Sequence, residues 1–268
     1  MNVIGILDTL PLWGVFAVSL LITFLSIEFG FLMGRLRQGR LKGEEKVISG
    51  PVVAASFSLL AFMLAMTYGA VDSRFNAIKG VAVDDANAIG TAFIRADLLP
   101  DAERAEVRQL LQDYVDLRVK ALQSDVGEEV RQAIGRSEKL QSDLWSRATE
   151  IAERYPTPIS ALFVQSVNEM IDTHAKRITL LIRYRLPETI WIVLYGLAIL
   201  AMAMGGYDTG ISGSRSTVSV TLAAALAFSV VFTLVIGLDR PHQHLSTATK
   251  AAMIDLQEDI RLSMQDSP

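Results

Sequence analysis

Apolar residues are concentrated in four stretches of the chain, at residues 10–34, 52–71, 189–206 and 217–238. A helix rises about 1.5 Å per residue, so each stretch has about the 20 residues that cross roughly 30 Å of hydrocarbon. None alternates apolar and polar residues with period two, as the strands of a membrane barrel would. The first stretch lacks a basic start and a small-residue cleavage site, so we expect it to remain in the mature chain. The pattern predicts an all-α integral membrane protein with four transmembrane helices.

Polar residues are concentrated between the second and third stretches, where helical periodicity predicts a soluble helical domain. No proline interrupts residues 52–97, so we expect the second span to continue into this domain as one long helix. The predicted organisation is a transmembrane hairpin at 1–71 with a basic link at 35–50, the soluble domain at 72–186, a second transmembrane hairpin at 187–240, and an amphipathic C-terminal helix at 241–268.

Two helices of the soluble domain can be predicted in detail. Thr157 followed by Pro158 predicts a helix start, because threonine caps helices and proline suits the first turn. The residues expected on the apolar side of that helix are Leu162, Phe163, Val167, Met170, Ile171, His174 and Ile178. The preceding helix is predicted at 126–155, with an apolar side of Val130, Ile134, Leu144, Trp145, Ala148 and Ile151.

Positive charge near the span ends predicts the orientation, because basic loops stay in the cytoplasm. The first ten residues carry no arginine or lysine, whereas the link between spans one and two carries Arg35, Arg37, Arg40, Lys42 and Lys46. We therefore expect this link inside and the soluble domain outside. The bias is weakened by basic residues that flank the membrane on the opposite side, namely Arg74, Lys79, Arg183 and Arg185.

Glu28 lies within the first apolar stretch, where its ionised form is costly unless it is paired or wetted. Three interpretations remain open. The carboxylate could pair with Arg35 or Arg37 two turns along the helix, contact a polar group of a neighbouring helix, or face a water-filled ion path.

The second span carries small residues near one helical stripe, which suits either close packing or the lining of a shared pore. The candidates for an ion pathway are Glu28, Ser58, Ala61, Ala65, Thr67, Tyr68, Gly69 and Arg74. Similar small pairs occur at Gly30 and Gly34, Ala201 and Gly205, and Ala223 and Ala227. A subunit of four helices has little room for its own aqueous path, so a channel requires an oligomer with a shared axis.

Polar residues of the soluble domain could form a buried network or a ligand pocket. The candidates are Asp84, Asp85, Asn87, Arg95, Asp97, Asn168, Asp172, His174 and Arg177, and Asp239 with Arg240 forms a charged stop after the last span. Asn168 and Asp172 share a helix face, and we expect Asp84 or Asn87 to meet Arg177. The favoured interpretation is a network that fixes the register of the helices.

Composition excludes several classes of function. Acids and bases nearly balance, with a net charge of −4, which argues against nucleic-acid binding. The chain has no cysteine, and it lacks phosphate-binding glycine loops, HExxH and nucleophile elbows. His242 and His244 have no carboxylate pattern beside them. We therefore expect neither an enzyme, nor a cofactor, nor a metal site.

Four segments of the chain are similar to bacterial membrane proteins of the bestrophin-like family, a family of unknown function. They are residues 27–35 (IEFGFLMGR), 73–118, 168–177 (NEMIDTHAKR) and 238–241 (LDRP). The family resembles the bestrophins, which are pentameric anion channels with four membrane helices and a large helical domain between spans two and three. The second span lacks an aromatic-rich neck like theirs, and the charge bias places the soluble domain outside, whereas bestrophins keep it in the cytoplasm.

The resemblance implies a homo-oligomeric ion channel with anion selectivity, a pentamer by analogy only. The alternative is a membrane-anchored helical sensor or scaffold without transport activity. The expected partners are the lipid bilayer, further copies of the chain and small ions. The expected location is the bacterial inner membrane, crossed several times, with the soluble domain outside the cytoplasm.

Overall fold

The computed structural model describes residues 10–38, 50–123, 127–183, 185–212, 215–240 and 247–265. Within these ranges every regular element is helical, which confirms the all-α prediction. The helices are α1 (Leu12–Gln38), α2 (Gly50–Ala96), α3 (Asp101–Gln123), α4 (Gly127–Arg154), α5 (Pro158–Ile178), α6 (Glu188–Ser212), α7 (Arg215–Asp239) and α8 (Thr247–Gln265), and a π-helical segment (Thr179–Arg183) follows α5.

Four of these helices are long and apolar enough to cross a membrane, as the hydrophobic pattern predicts. They are Leu12–Gln38, Gly50–Ala96, Glu188–Ser212 and the Ser219–Asp239 part of α7. The helix α2 has 47 residues, which corresponds to a length of about 70 Å. The second span therefore continues beyond the length of a bilayer core as one uninterrupted helix.

The chain divides into two compact units. The membrane unit comprises Met1–Ser73 and Leu186–Arg240, and the soluble unit comprises Arg74–Arg185 and Pro241–Pro268. The helix α2 belongs to both, because the division falls within it.

Glycines hold α1 against α6 in the membrane unit. A methyl group at Gly30 would overlap the carbonyl oxygen of Ala203, and one at Gly206 would overlap that of Ile27. Gly34 and Gly210 are equally confined, against the carbonyls of Tyr207 and Phe31. Only a hydrogen at these positions lets the two backbones approach so closely.

The small pair noted in the sequence of α6 is Ala201 and Gly205, whereas the close backbone contact with α1 uses Gly206 and Gly210. Gly205 faces side chains instead, those of Phe57 and Thr221. The rest of the membrane core is built from large apolar side chains, including Leu60, Trp191, Leu194 and Phe232.

The soluble unit has a core formed by the second half of α2 together with α3, α4, α5 and α8. The helix α5 begins as its sequence predicts: Thr157 is the N-cap, Pro158 follows in the first turn, and Thr157 and Ser160 form a reciprocal capping box. The prediction of its apolar side was wrong at one position: Leu162 is 44% exposed, whereas Phe163 is fully buried as expected. On α4, Trp145 was likewise expected in the core and is 38% exposed.

Polar contacts fasten α8 to α3. The carboxylate of Asp116 accepts hydrogen bonds from Gln257 at 2.5 Å and from Arg261 at 3.0 Å. Arg108 donates to the backbone carbonyl of Ser263 at 2.9 Å and also to Asp97 at 2.8 Å. The C-terminal helix is thereby part of the soluble unit, with Met253 and Ile260 in its core.

Candidate functional site

The small residues of α2 lie on an open face of the helix. Ser58, Ala61, Ala65 and Gly69 are all exposed in the single chain, and Tyr68 beside them is 41% exposed. The opposite face is packed into the membrane unit through residues such as Leu60, Leu64 and Val71. We call Ser58, Ala61, Ala65 and Gly69 the α2 stripe.

Of the four spans, α2 is the least covered by its own chain. Its most apolar window is 17% buried, whereas those of the other three spans are 33% to 39% buried. A membrane helix that exposes small residues leaves shallow grooves, which another helix fills better than lipid does. The α2 stripe is therefore a candidate surface for contact with another helix.

Two of the ion-pathway candidates on α2 lie elsewhere. Thr67 is only 6% exposed, and its hydroxyl donates to the carbonyl of Met63 at 2.8 Å. Arg74 is partly buried and donates to the carbonyls of Leu180 and Leu181 at 3.3 and 3.5 Å. Those carbonyls belong to the π-helical segment, so Arg74 holds that segment against α2.

Glu28 is exposed on α1, among large apolar side chains that are also exposed. Neighbours on this face include Phe24, Leu25 and Leu32. The first of the three interpretations, a pair with Arg35 or Arg37, is not formed, and the guanidinium of Arg35 lies over the Phe31 ring at 6.0 Å. Within the described ranges, Glu28 has no hydrogen-bond or ion-pair partner.

The soluble unit contains a buried polar cluster, which we call the Asp85 network. Arg118 and Arg177 both donate to the Oδ2 atom of Asp85, the second at 3.1 Å. Asp85 is completely buried, and the two arginine side chains are 4% and 9% exposed. The ion pairs connect α2 to α3 and to α5.

Tyr114, Gln141 and His174 complete the Asp85 network. Arg118 Nη1 donates to the hydroxyl of Tyr114 at 2.6 Å and lies 2.5 Å from Nδ1 of His174. Gln141 on α4 donates to the same hydroxyl at 2.8 Å. The Tyr114 hydroxyl is 3.3 Å from His174 Nδ1, so its own proton can point there.

The protonation of the Asp85 network follows from these contacts. Burial lowers the pKa of His174 to about 4, and the neighbouring Arg118 adds to the effect. Burial also raises the pKa of Tyr114, which keeps its phenol neutral. Arg118 stays charged. Burial lowers its pKa, but the combined effect of Tyr114 and Asp85 is larger and in the opposite direction, so the pKa of Arg118 is raised overall. The resulting network holds two cations, one carboxylate and a neutral histidine.

The partner of Arg177 is Asp85, which lies one residue from Asp84 and two from Asn87, the positions expected. Asp84 and Asn87 are exposed, and Asp85 between them faces the core. The sequence contains the relevant signal, since Asp85 continues the buried series of Ile78, Ala82 and Ile89 at helical spacing. An acidic residue at such a position requires a buried cation as its partner.

The remaining polar candidates do not join the Asp85 network. Asn168 donates to Asp172 at 2.9 Å on an exposed face of α5. Arg95 donates to the carbonyl of Leu162 at 2.9 Å, and Asp97 pairs with Arg108 as described above. Asp239 and Arg240 are buried at the end of α7, in the membrane unit.

No cluster of metal-ligating side chains occurs in the part of the chain that the structure describes. His242 and His244 lie outside the described residues. The two candidate sites are therefore the α2 stripe and the Asp85 network.

Comparison with known proteins gives one match, which is to a protein family. Residues 18–250 match the family model described as Bestrophin-like domain. No curated protein and no solved structure matches the chain.

Proposed function

Because the chain belongs to the bestrophin-like family, we propose that it is a homo-oligomeric ion channel whose pore forms where copies of α2 meet. The observation that carries this proposal is the α2 stripe, which is exposed on the least buried of the four spans. Anion selectivity is part of the proposal and rests on the similarity to bestrophins. A pentamer is the number of subunits that the same analogy favours.

The packing of the membrane unit supports a shared pore over a pore within one chain. The backbones of α1 and α6 touch at Gly30 and Gly206, which leaves no space for water between them. Phe57 stacks on Phe228, and Tyr195 stacks on Phe232, filling the space beside α7. These contacts favour an ion path outside the single subunit, along a surface that further copies complete.

The chemistry of the α2 stripe suits a narrow pore with a weak preference for its ion. Ser58 of the stripe and Tyr68 beside it bring hydroxyl groups, which can donate hydrogen bonds to a passing anion, and Ala61, Ala65 and Gly69 bring no charge. Conduction requires that an ion bind well enough to enter and weakly enough to leave. Uncharged, small side chains around an axis meet that requirement.

Glu28 is proposed to lie beside the conduction path, near its basic end. Its carboxylate has no partner within the described chain, and its immediate neighbours on the open face are apolar. An ionised carboxylate in hydrocarbon costs a few kcal/mol, so the assembled protein should offer it water or a partner subunit.

Recordings from purified protein in planar bilayers under a salt gradient test both proposals together. Glu28→Gln removes one negative charge per subunit, so we expect the reversal potential to move further toward the chloride value, with roughly a twofold rise in anion conductance. Glu28→Asp keeps the charge and should behave like the unmodified chain. Equal selectivity of the unmodified chain, Glu28→Gln and Glu28→Asp would show that Glu28 does not lie beside the conduction path.

The orientation is also a proposal, supported by Arg35 and Arg37 at the end of α1 and by the further basic residues of the link. The chain is placed in the bacterial inner membrane with the soluble unit outside the cytoplasm. Since the chain has no cysteine, the single variant Glu169→Cys should react with a membrane-impermeant maleimide on cells with an opened outer membrane. Labelling only after cell lysis would indicate the opposite orientation, with the soluble unit in the cytoplasm.

A further inference from the structure

We propose that the Asp85 network is a proton-operated latch: protonation of His174 at Nδ1 releases Arg118 and Tyr114 and loosens α5 from the extension of α2. The geometry points to this role because Nδ1 is the atom that faces both donors, at 2.5 Å from Arg118 Nη1 and 3.3 Å from the Tyr114 hydroxyl. A protonated Nδ1 can only donate, so neither contact survives in its present form.

The groups that face His174 on every neighbouring helix disfavour its positively charged, doubly protonated form. On α3 it faces the cation Arg118 and the neutral phenol of Tyr114, and on its own helix the cation Arg177 lies one turn away. Asp85 on α2 is the one carboxylate of the network, and it is already shared by both arginines. Gln141 on α4 is neutral and is bonded to Tyr114. A third positive charge among these groups has no anion left to balance it.

His174 has a free nitrogen that identifies its resting state. With Nδ1 as the acceptor, the ring proton resides on Nε2, and this buried atom has no hydrogen-bond partner in the described chain. Histidine is otherwise the side chain whose charge changes near neutral pH. His174 is only 4% exposed, so a proton binds it much more readily when the network is open than when it is closed.

The latch acts on the helix that carries the α2 stripe. Asp85 is part of α2, which runs without interruption from Gly50 to Ala96. Opening the network therefore loosens the contact of α5 with the extension of the proposed pore helix, and acid pH becomes a signal that acts on this helix. The effect on current rests on the proposed function, whereas the latch itself does not.

The direction of the pH effect follows from linkage. An opened network has a histidine of ordinary pKa, 6.5, and the closed one has a pKa of about 4. The closed form is thus fully favoured above pH 6.5 and loses its advantage as the pH falls toward 4. Between pH 6.5 and 4.5 the open population should rise about 40-fold from this residue alone.

Hydrogen exchange of the full-length protein tests the latch, with rates corrected for the intrinsic effect of pH. We expect the protection of residues 81–96 and 162–178 to fall by that factor in the unmodified chain. His174→Asn places an uncharged acceptor near the Nδ1 position and should abolish most of the fall. The chain has three histidines, so His242→Gln with His244→Gln is the matched control and should keep it. An equal fall in His174→Asn would overturn the latch.

A second measurement does not depend on the stability of His174→Asn. The His242→Gln, His244→Gln protein contains one histidine, so its ¹⁵N imidazole signals report on His174 alone. The latch predicts a neutral ring with the proton on Nε2 at pH 7 and no protonation until well below pH 6. A proton on Nδ1 at pH 7, or titration near the ordinary value of 6.5, would contradict it. Either result leaves the proposed channel to be judged by its currents.

Discussion

Gly206→Ala is expected to abolish the native packing of α1 against α6. The added methyl group would overlap the carbonyl oxygen of Ile27, which is backbone and cannot rotate away. The helices must separate along their whole contact, since Gly30, Gly34 and Gly210 confine them at neighbouring turns. Overpacking a well-packed core typically costs about 1–3 kcal/mol, and a clash between two backbones should reach at least the upper end of that range.

Gly196→Ala is the matched control for this substitution, because it lies on the same helix and a methyl group there meets nothing within 4 Å. It should be neutral or slightly stabilising, since alanine is the better helix former by up to about 1 kcal/mol. Thermal unfolding of the detergent-purified proteins separates the two. Equal midpoints for Gly206→Ala and Gly196→Ala would show that the α1–α6 contact is not as close as the structure has it.

Asp85→Ala is expected to cost the soluble unit about 3–5 kcal/mol, because it leaves two buried arginines without their carboxylate. Arg118 and Arg177 have side chains that are at most 9% exposed, so water can replace the lost partner only after α2, α3 or α5 moves. The loss should appear as rapid proteolysis of the soluble unit under conditions in which the unmodified chain resists.

Asp84→Ala provides the comparison, since it removes the same charge from the preceding position of the same helix. Asp84 is exposed, so the change should stay within about 0.5 kcal/mol. Similar proteolysis of Asp84→Ala and Asp85→Ala would mean that the effect comes from overall charge, and the buried network would lose its structural role.

The sequence predicts the membrane spans well because hydrocarbon imposes a simple constraint. Any span needs about 20 apolar residues and satisfies its backbone as a helix. The unbroken α2 follows from the missing prolines, and the start of α5 follows from Thr157 and Pro158, which act within one turn of each other. Each of these features depends on local chemistry alone.

Contacts between helices are harder to predict, because they depend on rotation by a single residue. A step of one residue turns a helix by about 100°, which is enough to exchange a core position for a surface one. Asp84 or Asn87 was thus expected as the partner of Arg177, although Asp85 beside them takes that role, and the small pair noted on α6 contains Gly205 and not its neighbour Gly206. Burial on a helix becomes visible only when its neighbours are known.

The candidate pore residues on α2 differ in the same way in how far the sequence predicts their positions. The shared stripe of Ala61 and Ala65 follows from the spacing of small residues along α2, whereas its open position is seen only in the structure. Thr67 and Arg74 are polar residues of the same helix, but their hydrogen-bond partners are Met63 and the π-helical segment. Polarity within a span therefore does not identify a pore residue unless its hydrogen bonds are known.

Modification of single cysteines on α2 during current recording tests the central claim most directly, since the unmodified chain has no cysteine to react. If the α2 stripe lines a shared pore, a negatively charged methanethiosulfonate reagent should block at least about half of the anion current through Ala65→Cys. Met66→Cys is the control: this neighbour is 62% exposed and points about 100° away from the stripe. Block of Ala65→Cys alone is the predicted result. Equal insensitivity of the two variants, in oligomers that conduct, would place the path elsewhere, and no current from folded oligomers would favour a membrane-anchored sensor or scaffold.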